Sequence, residues 1–387
     1  MAVSLRDKLK SMERQGPRPA AERGGAEDCC VRTFSFSAAD TELGLCLPGK
    51  SLGWVLGGEW PDLSRNDILF LDTETNGLGG GAGTVAFLAG VGWFEGEKFR
   101  VEQYLMRDYD EERFLISRLE GAMADKRFFC TYNGASFDLP LLRSRFIMCG
   151  KRMPELRGHI DLIHPARRVW KTRLEDCSLK RLEEEVLHMP RQADLPGARV
   201  PERYRLYLQC RDMGLLEDIL DHNRQDILTL PRILAALIRA HEQPEALGHG
   251  EDVFSVGRVL EKRKEFKRAA ECYRLAGKSR VRYRACVALG SLSLRLGSAR
   301  EAAEHYEDAL RVKSSANVYI ALSKLCEHRL KEYGRAERYA LKALDACPEG
   351  DEALRGDIKK RLQRIQIKQR RRDHGDHGYV QDPQGGH

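Results

Sequence analysis

The sequence predicts a mixed α/β domain followed by an all-α array of helical repeats. Between about residues 61 and 241, apolar runs follow the order strand, hairpin, helix, strand, helix, strand, helices, the pattern of a mixed sheet flanked by helices. After residue 250 the periodicity is helical throughout, and AAECYRLA at 269–276 recurs as AAEHYEDA at 302–309 and as RAERYALKAL at 335–344. A third observation concerns chemistry. Asp72, Glu74, Asp138 and Asp226 each close or follow an apolar run, where an unpaired negative charge is costly.

Residues 1–60 are expected to form an N-terminal extension. The first 27 are polar and rich in Gly and Pro, and read as mostly disordered. Residues 67–73 read as a buried strand, and Thr84–Phe94 and Phe99–Leu105 as a hairpin turning at Glu95-Gly96-Glu97. Helical spacing over Asp110–Ala124 is followed by a short strand at Phe128–Tyr132, a helix at Leu139–Met148 and a strand at Ile160–Ile163. A helix from Ser178 to about Leu187 precedes a longer helical region, Glu202 to about His241, with breaks near Met213-Gly214 and Pro231. Residues 242–250 read as a linker, 251–352 as repeats, and 353–387 as a basic capping helix with a disordered tail.

Aligning Ala269, Ala302 and Ala336 gives steps of 33 and 34 residues. Tyr273, Tyr306 and Ala340 then share one position, Ala276, Ala309 and Ala343 another, and Gly257 and Gly290 fall twelve residues before the first two anchors. This period, with small residues at helix contacts, resembles tetratricopeptide (TPR) repeats and implies a solenoid able to hold a protein partner. Leu354, Ile358, Leu362 and Ile365 would face it from a terminal cap whose opposite face is basic.

The chain has 387 residues, 42% hydrophobic and 32% charged, enough for two or three domains with their own cores. No apolar stretch suits a membrane span, and the charged first residues lack the apolar centre of a secretory signal, so a cytoplasmic location without a membrane partner is expected. Eleven scattered cysteines without a CxxC pair point to reduced, buried thiols. Residues 355–372 carry nine basic side chains and one acidic one, so the net charge of +7 is concentrated there, in a segment suited either to a phosphate backbone or to a solvated helix face.

Asp72 and Glu74 stand at i and i+2 after Ile68-Leu69-Phe70-Leu71, and in a strand they share a face. Two such carboxylates repel unless a cation sits between them, and hard divalent cations take oxygen ligands of this kind. Asp138 alone would read as a helix cap. His222 and Asp226, at i and i+4 of a helix, share a face. Asp161 and His159 read as structural. Arg167, Arg168, Lys171 and Arg173 form a basic cluster around Trp170, suited to following a phosphate backbone with the indole on a base, or to a solvated helix face.

Together LDTETNGL, NGASFD and HNRQD resemble the three motifs of the DEDD superfamily of 3′–5′ exonucleases, whose fold is RNase H-like. LDTETNGLGGGAGT, YNGASFDLPLL, SLKRLE and DLPGARVPERY resemble the bacterial YprB-type RNase H-like proteins over roughly residues 60–240. The resemblance implies an enzyme, a metal-dependent nuclease hydrolysing single-stranded DNA or RNA from its 3′ end with two Mg²⁺ or Mn²⁺ ions per site. One ion would activate water and the other would stabilise the leaving oxygen. Asp72, Glu74, Asp138 and Asp226 would hold the metal, and Thr75, Asn76, Asn133 and Phe137 would meet the nucleotide. His222 would position or deprotonate the water, although it stands four residues before Asp226, whereas one subgroup of the family places histidine five before and another places tyrosine four before. The alternatives are an RNase H-like endonuclease, and a TPR adaptor with a weak or vestigial nuclease domain.

Overall fold

The computed structural model describes residues 28–77, 83–191 and 196–375. In chain order the strands are β1 (Cys30–Ser37), β2 (Cys46–Leu47), β3 (Leu63–Ser64), β4 (Ile68–Thr75), β5 (Ala86–Glu95), β6 (Lys98–Leu105), β7 (Phe128–Thr131) and β8 (Gly158–Asp161). The first helices are α1 (Gly49–Leu56), α2 (Glu112–Met123), α3 (Asp138–Met148), α4 (Ile163–Trp170), α5 (Leu179–Glu185), α6 (Val200–Cys210) and α7 (Glu217–Glu242). The remainder are α8 (Gly250–Lys262), α9 (Phe266–Ala276), α10 (Arg282–Arg295), α11 (Ala299–Val312), α12 (Ala316–Leu325), α13 (Tyr333–Asp345) and α14 (Glu352–Gly375).

Two compact units result. Among the described residues, one holds 28–40, 66–159 and 196–228, and the other 41–65, 160–191 and 229–375. The compact units therefore do not follow the expected borders at 60 and 241. Residues 30–37 are strand, not extension, because their backbone pairs antiparallel with β6 from Cys30↔Leu105 to Ser37↔Lys98. The expectation of disorder for residues 1–27 lies outside the described residues.

The first unit is built on a six-stranded sheet in the order β1-β6-β5-β4-β7-β8. β5 and β6 form the expected hairpin, with Gly96 at φ 58° supplying the left-handed turn residue. β4 runs antiparallel to β5 and parallel to β7. Ile68, Leu69, Phe70 and Leu71 are fully buried, as a central strand covered on both faces requires. Its core gathers Leu88, Leu115, Leu119, Leu142, Phe146 and Leu220 from the sheet and the helices. Phe87 stacks on Tyr204 at 3.9 Å, whose hydroxyl donates to the Met106 carbonyl at 2.9 Å.

α7 is unbroken at Pro231, where the sequence suggested an interruption. The proline costs one backbone bond, but Ile227, Leu230, Ile233, Leu234 and Leu237 around it are buried, and their packing outweighs that loss. In the second unit the Arg268 guanidinium donates to the carbonyls of His241 and Glu242 and so satisfies the end of this helix.

The helices from α8 to α14 form successive hairpins consistent with a helical solenoid. Ala269, Ala302, Ala336, Ala276, Ala309 and Ala343, the six aligned alanines, are all fully buried. A Cβ on Gly257 would lie 2.8 Å from Tyr273, and one on Gly290 would lie 2.7 Å from Tyr306. Each glycine thus makes room for the tyrosine of its own hairpin, which explains why they recur together.

Ile358 and Ile365 of α14 are buried, and Leu354 and Leu362 pack beside them, as the apolar stripe implies. The basic face is not simply solvated, however. Glu327 is fully buried in a π-helical turn after α12, and it accepts hydrogen bonds from Arg361, Arg364 and Lys368. Burial alone would raise its pKa, but the charged donors hold it down at about 2, against an ordinary 4.5. Its stabilising contribution is therefore complete above about pH 4.5 and disappears as pH falls toward 2. Glu327→Gln should cost about 3 kcal/mol, read as a lower urea midpoint at pH 7, with earlier tryptic cleavage within α14. The difference from wild type should shrink as the pH is lowered through 4.

Candidate active site

Asp72 and Glu74 project from one face at the end of β4, where a bulge between Glu74 and Thr75 ends regular pairing with β5. β7 pairs with β4 only from Ile68 to Phe70 and then diverges, leaving the Thr73 amide without a strand partner on the β7 side. Asp138 replaces it. The carboxylate accepts from the Thr73 amide at 3.0 Å and from its hydroxyl at 2.6 Å. Asp138 is thus the first residue of α3 and 7% exposed, but its carboxylate reaches across to β4.

The turn between β7 and α3 explains how it gets there. Asn133 adopts φ 68°, a left-handed conformation that asparagine tolerates better than most residues. Gly134 follows so closely over Thr131 that a Cβ would lie 2.4 Å from its hydroxyl oxygen. That hydroxyl accepts from the Gly134 amide at 3.1 Å and contacts His159 at 2.8 Å. Asp161, like His159, makes a local contact, accepting from the Ile163 amide at 3.2 Å. Phe137, immediately before Asp138, is 63% exposed.

Asp226 and His222 lie one turn apart on α7, with His222 Nε2 3.4 Å from Asp226 Oδ2. Asn223 between them was not singled out from the sequence. It is fully buried, donates to Asp72 Oδ2 at 2.9 Å, and accepts from Gln103 on β6 at 3.0 Å. Gly90 on β5 lies opposite both Asp72 and Gln103 in the ladder, and a Cβ there would fall 2.2 Å from Asn223 Oδ1. A Cβ on Gly92 would fall 2.7 Å from Ile227. Two glycines at i and i+2 of a buried strand were the sequence signal of this close approach.

Burial first, then the charges of Asp226, Asp138 and Glu74, push the Asp72 carboxyl well above its usual range, against the lowering effect of the Asn223 bond. The charges of the other three acids therefore all bear on Asp72. Among the described residues, no three His, Cys, Asp or Glu side chains stand together as a ready metal-holding group. Asp72 and Asp138 are turned instead to Asn223 and Thr73. The donor chemistry, four carboxylates with mutual repulsion concentrated on Asp72, nevertheless fits a hard dication with oxygen ligands.

The expected substrate contacts divide. Thr75 donates to the Gly77 carbonyl at 2.7 Å, and Asn76 accepts from the Val85 amide at 2.9 Å, so both hold the mouth of the loop between β4 and β5. Its glycine-rich residues 78–82 lie outside the described residues. Asn76 also lines a cleft of about 420 Å³ with Tyr109, Pro201, Glu202, Tyr204 and Arg205. All eleven cysteines are free thiols, and no helix among the described residues is long and apolar enough to cross a membrane.

Residues 69–238 match a family model described as RNase_H superfamily. "Uncharacterized protein YprB" of Bacillus subtilis (strain 168) is 31% identical over 294 residues, 73% of this chain and 71% of the relative. Two solved structures match at low similarity. BtubC from P. vanneervenii is 19% identical over 55% of this chain and 97% of its own, with a TM-score of 0.27. MamA is 15% identical over 47% and 99%, also at 0.27. At that score neither bears on the fold.

The close approach at Gly90 is directly testable. Gly90→Ala should destabilise by about 1–3 kcal/mol through overpacking against Asn223. Gly121→Ala, in open space on α2, should be neutral or stabilising by up to ~1 kcal/mol. Urea unfolding of the two variants beside wild type measures the contrast.

Proposed function

The chain belongs to the family of YprB and carries an RNase H-superfamily domain at residues 69–238, and from that premise we propose that it is a metal-dependent 3′–5′ exonuclease of single-stranded nucleic acid. The observation that carries the reading is the convergence on Asp72. Burial raises its pKa, and so do the charges of three other carboxylates drawn from β4, α3 and α7, an arrangement that suits a cation. Asp72, Glu74, Asp138 and Asp226 would hold two divalent ions, Mg²⁺ or Mn²⁺.

When bound, such ions supply an activated water and stabilise the departing 3′ oxygen. The chain's own residues do the rest. Asn223 fixes the orientation of Asp72, and Thr73 that of Asp138. His222, beside Asp226, takes or directs the proton of the attacking water. Phe137 offers an exposed ring on which the terminal base stacks. Asn133 holds the turn that presents this ring, while Thr75 and Asn76 shape the loop opposite. The helical array is read as TPR-type and as a docking surface for a protein partner.

With an end-labelled oligonucleotide of DNA or RNA and Mn²⁺, the wild type should give a ladder shortening from the 3′ end. Asp226→Asn should lower the rate at least about 10²–10³-fold, and Asn223→Ala about 10- to 100-fold. Phe137→Ala should raise KM more than it lowers kcat. Internal cuts on a 3′-blocked substrate would move the assignment to an endonuclease. The absence of both cleavage and Mn²⁺ binding would favour an adaptor.

A further inference from the structure

The basic cluster around Trp170 takes a different form in the fold from the one its sequence suggests. Trp170 is 1% exposed and is part of the core, so it offers no stacking surface. Arg173 is committed to the buried carboxylate of Asp252, at 2.9 Å. Arg167, Arg168 and Lys171 remain, and α8 adds Arg258 and Lys262. These five cations line one cleft of about 280 Å³ within the second unit.

Its construction is regular. Residues 167, 168, 171 and 172 fall on one face at the end of α4, and 255, 258, 259 and 262 on one face of α8. The Arg173–Asp252 pair and a hydrogen bond from Ser255 to Thr172, at 2.9 Å, clamp the two segments together. The lining thus combines two hydroxyls, Thr172 and Ser255, with five cations. No carboxylate lines the cleft.

The missing counter-charge is selective. In the same unit Glu327 collects three cations and Asp252 secures Arg173. Arg167, Lys171, Arg258 and Lys262 are exposed, and among the described residues none of them is in an ion pair. Arg168 donates to the Val55 carbonyl at 2.6 Å, but its Nε is buried without a hydrogen-bond partner. Burial and then the charge of Arg263 also depress its pKa. Like charges gathered this way repel, and a polyanion relieves that repulsion.

Hydroxyls and cations recognise phosphate. Only Val259 is apolar in the lining, so the cleft presents nothing for a base to stack on or for a lipid chain to enter. We propose that the cleft between α4 and α8 binds the phosphodiester backbone of a single-stranded nucleic acid, without regard to base sequence, as a contact additional to the carboxylate site. The identity of the polyanion rests on the nuclease reading; the anion site itself rests on the cations.

The test is fluorescence anisotropy of a labelled oligothymidylate of about 20 nucleotides, in EDTA, across a KCl series, using the full chain. The triple variant Lys171→Gln/Arg258→Gln/Lys262→Gln changes only exposed side chains. It should flatten the plot of log affinity against log salt by about 2 and weaken binding about ten- to hundred-fold near 0.1 M salt. A charge-matched control, Lys359→Gln/Lys360→Gln/Arg370→Gln on α14, should stay close to wild type, and Lys171→Arg/Lys262→Arg should retain binding. If the cleft and control triples behave alike, the proposal is overturned; it is also overturned if inorganic phosphate displaces the oligonucleotide at equal concentration. Metal-dependent cleavage of a trinucleotide by the same proteins separates the two readings. Cleavage with an unchanged salt slope in the triple variant removes the cleft alone. A lost slope without wild-type cleavage removes the nuclease and leaves the cleft.

Discussion

The first unit depends on how closely α7 can approach the sheet. Asp72 is half-buried at the end of an apolar strand, and an ionised group there needs a fixed donor. Asn223 provides it only because Gly90 has no side chain. Gln103, Gly90 and Asp72 lie side by side on three paired strands, and the Asn223 amide spans them, accepting from the first and donating to the last. Ile227 repeats the contact one turn later, over Gly92. These two contacts set the height and rotation of the helix, and Asp226, three residues beyond Asn223, is presented as a consequence.

The same logic governs Asp138. A parallel strand that ends early leaves a backbone donor exposed on its neighbour, and buried donors are almost always satisfied. Here a carboxylate from the following helix does so, and the left-handed turn at Asn133 allows the chain to reach it. Asp72 and Asp138 are thus each tied down by a neutral donor, Asn223 and Thr73, while the charges of Asp226, Asp138 and Glu74 bear on Asp72. The fold stabilises their positions without removing the repulsion, which is the condition under which an added cation contributes most.

Much of this was legible in local pattern. The buried strand, its hairpin neighbour, the acids at i and i+2, and the repeat spacing all depend on residues close together in sequence, and they appear where expected. β1 was hidden because CVRTFSFS alternates weakly and takes its meaning from pairing with β6, whose partner residues lie 61 to 75 positions away. Pro231 misled because a local rule about broken helices was overruled by tertiary burial. Asn223 and Gly90 lay in plain view, but the need for a small residue at 90 arises only when a side chain from position 223 arrives above it.

Charge was the least legible property, because its effect depends on partners. The densest basic run, residues 355–372, directs three of its cations to one buried glutamate. The cleft of α4 and α8 draws its cations from two segments more than eighty residues apart, neither of which dominates the composition. A run of like charge in sequence invites compensation, since one acid placed against a helix face can serve several of its side chains at once. Cations assembled from distant segments receive compensation only if an acid also lines their common cleft, and none does here. The charge of this cleft is therefore a tertiary property, set by which distant segments the fold brings together.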